Sequence, residues 1–156
     1  MFVEKYNISV FTDGACHASK SGVWASIILM NETKHTLYGQ VHATTHQRME
    51  LQAVIESLHF LERLHMLGAP ITIYSDSQYV IRLIPREAQL KQCCYLTRSG
   101  KQINNADLMS VFYDMVNRSN VQFQKVKAHS AAPGEINNRE VDMLCRQKLR
   151  ESIRKG

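Results

Sequence analysis

The sequence contains no apolar run approaching the ~18 residues that cross a bilayer. Its opening segment, MFVEKYNISVF, lacks the basic start, long apolar core and small-residue cleavage site of a secretory signal. A cytoplasmic protein with no membrane partner is expected. Cys16, Cys93, Cys94 and Cys145 form no CxxC pair, and the adjacent Cys93 and Cys94 are poorly placed to bridge each other, so neither a zinc ligand set nor a disulfide framework is suggested. There are no repeats and no linker-like stretch. With 44% hydrophobic and 21% charged residues, the composition argues against disorder and collagen-like or coiled-coil repeats. A chain of 156 residues has core for one domain and not for two, so 1–156 reads as a single unit. Lys and Arg number 19 against 14 Asp and Glu, a net charge of +5, which favours a polyanionic partner.

Hydrophobic period divides the chain into elements. Tyr6 to Thr12 is β-branched and aromatic and meets Asp13-Gly14, which predicts a strand ending in a turn. Val23 to Met30 and His35 to Val41 read as two further strands joined by the polar Asn31–Lys34, and His42 is read with the third. From Met49 the apolar residues Leu51, Val54, Ile55, Leu58, Leu61 and Leu64 follow a helical stripe, with Thr44 and Thr45 as candidate caps. Ile71 to Tyr74 restores a strand, and a helix capped by Ser75-Asp76-Ser77 should stop near Ile84 because Pro85 follows. Asn105 looks like the cap of a helix carrying Leu108, Val111, Phe112, Met115 and Val116, before a strand near Val121 to Val126. His129 to Asn137 reads as a polar loop, and Val141, Leu144, Cys145, Leu149 and Ile153 mark the last helix. The order implies an α/β mixed sheet covered by helices.

Four carboxylates stand at unusual points: Asp13 after the first strand, Glu50 early in a helix, Asp76 after the fourth strand and Asp142 in the final helix. Any one alone is as readily a turn former or a cap. If the first and fourth strands run parallel side by side, Asp13 and Asp76 meet at one sheet edge and the other two reach in from flanking helices. Like charges that close raise one another's pKa or require cations, and hard oxygen donors favour Mg²⁺ or Mn²⁺ over zinc. Two such ions ~3.5–4 Å apart can activate water on one side of a phosphodiester and stabilise the departing oxygen on the other.

The motifs TDGAC at 12–16, RMEL at 48–51, SDSQYV at 75–80, VKAHS at 126–130 and NREVD at 138–142 resemble, in order and spacing, ribonuclease H of the bacterial type 1 family. The resemblance covers roughly Ile8 to Leu149. It implies a ribonuclease H-like fold: a five-stranded mixed sheet in order 3-2-1-4-5, its first three strands antiparallel, with helices on both faces. It also implies an endonuclease that hydrolyses the RNA strand of RNA/DNA hybrids with two Mg²⁺ ions, Mn²⁺ being a substitute, and leaves 5′-phosphate and 3′-hydroxyl ends. The family's metal-binding carboxylates fall on Asp13, Glu50, Asp76 and Asp142, and its mobile catalytic histidine falls on His129. A loop histidine beside acids can shuttle a proton, assist water activation or help product leave.

By the same resemblance, Gly14, Cys16, Ser19, His46, Gln47 and Gln78 fall where the family touches the hybrid's minor groove, and Thr45 and Asn105 where it grips a DNA phosphate. Helix capping is an equal alternative for those two, compatible with phosphate at a helix N-terminus. The chain departs from the family in HASKSG at 17–22, in His46-Gln47 where paired Asn is common, and in Ala128 where glycine is usual. Residues 86–104 carry Arg86, Lys91, Arg98 and Lys101 against the single acid Glu87, and read as a thin basic protrusion or as a solvated helix pair. No separate hybrid-binding domain is expected, and the working unit is taken as a monomer. The rival readings are a silent hybrid-binding module, a nuclease of branched or duplex DNA, and an interaction subunit of a larger assembly.

Overall fold

The computed structural model describes residues 6–126 and 135–155. The strands are β1 (Ile8–Cys16), β2 (Gly22–Met30), β3 (Thr33–Val41), β4 (Ile71–Ser75) and β5 (Val121–Lys125). The helices are α1 (His46–Arg63), α2 (Gln78–Leu83), α3 (Glu87–Gln92), α4 (Ala106–Asn117) and α5 (Glu135–Lys155). The sheet order is β3-β2-β1-β4-β5, with β1–β2 and β2–β3 antiparallel and β1–β4 and β4–β5 parallel, as the resemblance implied.

Side-chain alternation along the strands builds two cores, one on each face of the sheet. Ile8 and Val10 of β1, with Ile28, Ile71 and Ile73, pack under Leu51, Val54, Ile55, Leu58 and Leu61 of α1 and Met109 and Phe112 of α4. Phe11, Val23, Ala25 and Ile27 turn the other way and meet Val141 and Cys145 of α5. The Cys145 thiol donates to the Val23 carbonyl at 3.4 Å and pins α5 across β2.

Several boundaries differ from those the sequence suggests. β1 does not stop at Asp13-Gly14: it pairs with β2 through Asp13↔Ala25 and Gly14↔Trp24 as far as Cys16↔Gly22, the ladder overriding the local turn chemistry. The β2–β3 turn is Asn31-Glu32 alone, with Asn31 at φ 54°, and His42 lies one residue past β3. Thr45, not Thr44, caps α1. The buried face of α4 is Met109, Phe112, Tyr113 and Met115, while Val111 is exposed. The helical path does break at Ile84, into a 3-10 turn over Ile84–Arg86 that accommodates Pro85 before α3 begins. Finally, α5 starts at Glu135, inside the stretch expected to be loop.

Candidate active site at the sheet's open end

β1 outruns its parallel neighbour. The β1–β4 ladder ends at Phe11↔Tyr74, whose rings stack with centroids 4.8 Å apart. Beyond that pair the two strands separate, and such a crevice at the carboxyl ends of parallel strands is where α/β sheets place their chemistry. Asp13 lies just past the ladder on β1, and Asp76 follows Ser75, the last residue of β4. Alternation puts Asp13 on the same face as Phe11, toward α5 and Asp142.

Gly14 faces the opposite way and lets α1 approach. A Cβ built there would lie 2.4 Å from the Glu50 amide nitrogen and 2.4 Å from the Met49 carbonyl carbon, so no side chain fits without moving the helix. Thr45 caps α1, its Oγ1 accepting from the Arg48 N–H at 3.2 Å, and this fixes the first turn that presents Glu50. Glu50 has two partners. His46 Nε2 meets Oε1 at 2.6 Å, and the Ser77 hydroxyl donates to Oε2. Ser77 is itself fixed, capping α2 by accepting from the Val80 N–H at 3.2 Å.

The electrostatics couple these acids to one another. The Asp13 carboxyl is pushed up to about 8 by burial, by the Asp76 charge and by a hydrogen bond that only its protonated form can give Asp142; the Gly14 N–H, 2.9 Å from Oδ1, opposes the rise. Asp76 is also raised, by desolvation first and then by Glu50 and Asp142. His46 moves up because Glu50 accepts from it, with Asp13 and Asp76 adding to the pull against desolvation. Burial and the neighbouring Asp13 and Asp142 push the Cys145 thiol well above its usual range. Asp142 meets Arg146 at 3.3 Å.

The site therefore gathers Asp13, Glu50, Asp76 and Asp142 into one repelling group. Its donors are hard oxygens, and Asp13 is raised by burial and by the neighbouring Asp76 and Asp142; both properties fit divalent cations of the Mg²⁺ or Mn²⁺ class. Among the described residues no three His, Cys, Asp or Glu side chains close on a common point at ligand distance. Glu50 is held by His46 and Ser77, and Asp142 meets Arg146.

His129 lies outside the described residues. Val126, three positions before it, donates to the Ser75 carbonyl at 3.0 Å, so the preceding chain leaves the sheet beside Asp76. Thr45, His46, Gln47, Arg48, Asn104 and Asn105 line a pocket of about 490 Å³ at the start of α1. Asn105 occupies the N-cap position of α4 at φ 69° but makes no capping bond. Its side chain instead donates to the Tyr79 hydroxyl at 2.9 Å and accepts from Arg48 at 3.4 Å. Arg48 in turn forks onto Asp107 at 2.9 and 2.8 Å and holds that carboxyl down to about 2. Gln47 and Gln78 are exposed on the first turns of α1 and α2. Cys16 donates to the Thr44 carbonyl at 3.4 Å, while Ser19 lies in the exposed β1–β2 turn, 2.9 Å from His17 Nδ1.

The acids' partners are not visible in the sequence. There Ser77 reads only as a cap, and nothing singles out Arg146. The four-residue spacings His46–Glu50 and Asp142–Arg146 are the available signal. In the 86–104 region, Leu90 anchors α3 in the core, and an isolated Leu96–Gln102 bridge closes the loop that exposes Arg98 and Lys101.

The RNase H family model matches residues 5–150. A Ribonuclease H of Chlorobium phaeovibrioides is 34% identical over 152 residues, covering 95% of this chain and 96% of the relative. One from Francisella tularensis subsp. novicida is 34% identical over 157 residues and covers 99% of both. Among solved structures, the fold is similar to LC9-RNase H1, described as a type 1 RNase H with the type 2 active-site motif. The TM-score is 0.78 at 19% identity, covering 94% of this chain and 74% of that one. It is also similar to a foamy viral protease-reverse transcriptase in complex with dsDNA, with a TM-score of 0.71 at 15% identity and 92% of each chain covered.

Proposed function

The chain belongs to the ribonuclease H family, and from that membership we infer that the crowded carboxylates are the catalytic centre of an endonuclease hydrolysing the RNA strand of RNA/DNA hybrids. The observation that supports the assignment to these residues is their grouping: Asp13 is raised by burial first and then by Asp76 and Asp142, and Asp76 by burial first and then by Glu50 and Asp142. In this reading Asp13, Glu50, Asp76 and Asp142 hold two Mg²⁺ ions, with Mn²⁺ able to replace them. The ions supply water activation and charge stabilisation during phosphodiester displacement. Asp13 gives up its shared proton to act as a full anion, and Ser77 keeps Glu50 aimed into the crevice. His129 carries a proton to or from the reacting groups. The products carry 5′-phosphate and 3′-hydroxyl ends.

Substrate contacts follow the same reading. Thr45 and Asn105 grip a phosphate of the DNA strand in the pocket at the start of α1, whose lining includes Arg48. Gly14, Cys16, Ser19, His46, Gln47 and Gln78 line the minor-groove side, where 2′-hydroxyls distinguish RNA. Exposed Arg86, Arg98 and Lys101 form a basic handle along the duplex. In this reading the chain works as a monomer in the cytoplasm.

The test is a panel of labelled RNA/DNA, DNA/DNA and RNA/RNA duplexes with and without Mg²⁺. Cleavage confined to the RNA strand of the hybrid, and abolished by chelation, is the expected result. Asp76→Asn should cut at least about 100-fold more slowly while binding hybrid nearly as well, because phosphate neutralisation supplies most of the affinity. An Asp76→Asn protein that cuts at the wild-type rate removes Asp76 from the catalytic set.

A further inference from the structure

Glu50 is committed on both oxygens, and its two partners differ in kind. Ser77 is buried, and its hydroxyl is tied into the α2 cap, so it cannot leave without cost to the helix. His46 is its opposite: its side chain is 60% exposed, against 12% for Glu50, and its ring meets Glu50 Oε1 at 2.6 Å from the solvent side. Rotation of a surface imidazole into water frees that oxygen without disturbing the core. The contact is a four-residue helical pair, and α1 has the same spacing six residues further on, where Gln52 Nε2 donates to Glu56 Oε1 at 2.8 Å. A neutral imidazole with its proton on Nε2 donates as an amide does, so the contact persists when the ring is uncharged.

We propose that His46 is a latch on Glu50: it holds Oε1 until a divalent cation enters the carboxylate group, and the cation must displace it to gain Glu50 as a ligand. This rests on the proposed metal-binding role of the four carboxylates and adds a positioning residue to it. His46 thereby sets the affinity of the site for metal, weakening it by the strength of the bond it makes to Glu50. Ser77 remains in place throughout and keeps the carboxylate pointed into the crevice.

The experiment is Mn²⁺ binding to the full chain without nucleic acid, followed by loss of the free-ion signal in electron paramagnetic resonance. Wild type, His46→Ala and His46→Gln are compared, each with Glu50 intact and with Glu50→Gln. His46→Ala should bind Mn²⁺ on the order of tenfold more tightly, the scale of one charge-assisted hydrogen bond removed. His46→Gln should stay within about twofold of wild type, since Gln reproduces the contact that Gln52 makes with Glu56. In the Glu50→Gln background the His46 substitutions should have no effect. Unchanged or weaker binding by His46→Ala, or equal tightening without the Glu50 carboxylate, overturns the latch. If wild type binds Mn²⁺ and cuts hybrid while His46→Ala binds no more tightly, the latch alone fails. If no form binds Mn²⁺, the latch and the metal-dependent reading fail together. The exposure of His46 keeps folding out of the comparison, and superimposable circular dichroism spectra check it.

Discussion

At the level of single residues, the site depends on a close approach as much as on its acids. Gly14 is the contact point between β1 and the first turns of α1, with Glu50 and Met49 backbone atoms where a Cβ would stand. Gly14→Ala should cost about 1–3 kcal/mol through overpacking against backbone. It should also slow hybrid cleavage more than hybrid binding, because the displaced turn carries Glu50; thermal unfolding and single-turnover kinetics measure the two effects. The four carboxylates are legible in the sequence because each lies in one of the motifs TDGAC, RMEL, SDSQYV and NREVD. Their partners are not. A four-residue spacing such as His46–Glu50 is common on any helix, and only the position of α2 shows that Ser77 takes the second oxygen. Asn105 departs from expectation for a related reason: residue type suggests a cap, but Tyr79 and Arg48, distant in sequence, compete for its side chain and win.

Among elements, the start of α1 is fastened to the start of α4 by the Arg48–Asp107 fork. Asp107 is largely exposed, so the pair contributes modestly. Asp107→Asn should lower stability by about 0.5–1 kcal/mol at neutral pH. Because the folded carboxyl is held down to about 2 against an ordinary 3.8, its contribution is present above the unfolded value and is lost as pH falls through the folded one. The stability difference between the two proteins, read from urea denaturation at several pH values, should therefore shrink below about pH 4. A constant difference would mean that the fork is not its source. Element type and order are legible from period alone, since α1 carries an unbroken apolar stripe and β4 is bracketed by Pro70 and Ser75-Asp76-Ser77. Boundaries are less so. β1 continues past Asp13-Gly14 because β2 offers a pairing partner that local turn chemistry does not anticipate, and the apolar face of α4 has two readings one residue apart that only packing against the core of Ile73 and Val54 resolves.

For the whole molecule, charge and topology divide the work. The excess of five positive charges acts on the duplex at a distance, while the sheet order 3-2-1-4-5 collects acids from four separate stretches of chain at one end. Lys91 is paired with Glu87, which leaves Arg86, Arg98 and Lys101 as the more available cations of the 86–104 region. Replacing Arg98 and Lys101 by Ala should weaken hybrid binding and reduce the slope of log affinity against log salt by about 2, one for each phosphate no longer neutralised. An unchanged slope would show that this region does not follow the duplex. Whether the distant carboxylates share one charge-deficient site for divalent cations is decided by a carboxyl-carbon NMR titration of Asp13, in chelator and then in Mg²⁺. The expected midpoint in chelator is about 8, falling markedly when Mg²⁺ is added. A midpoint at the ordinary aspartate value, unmoved by Mg²⁺, would contradict it.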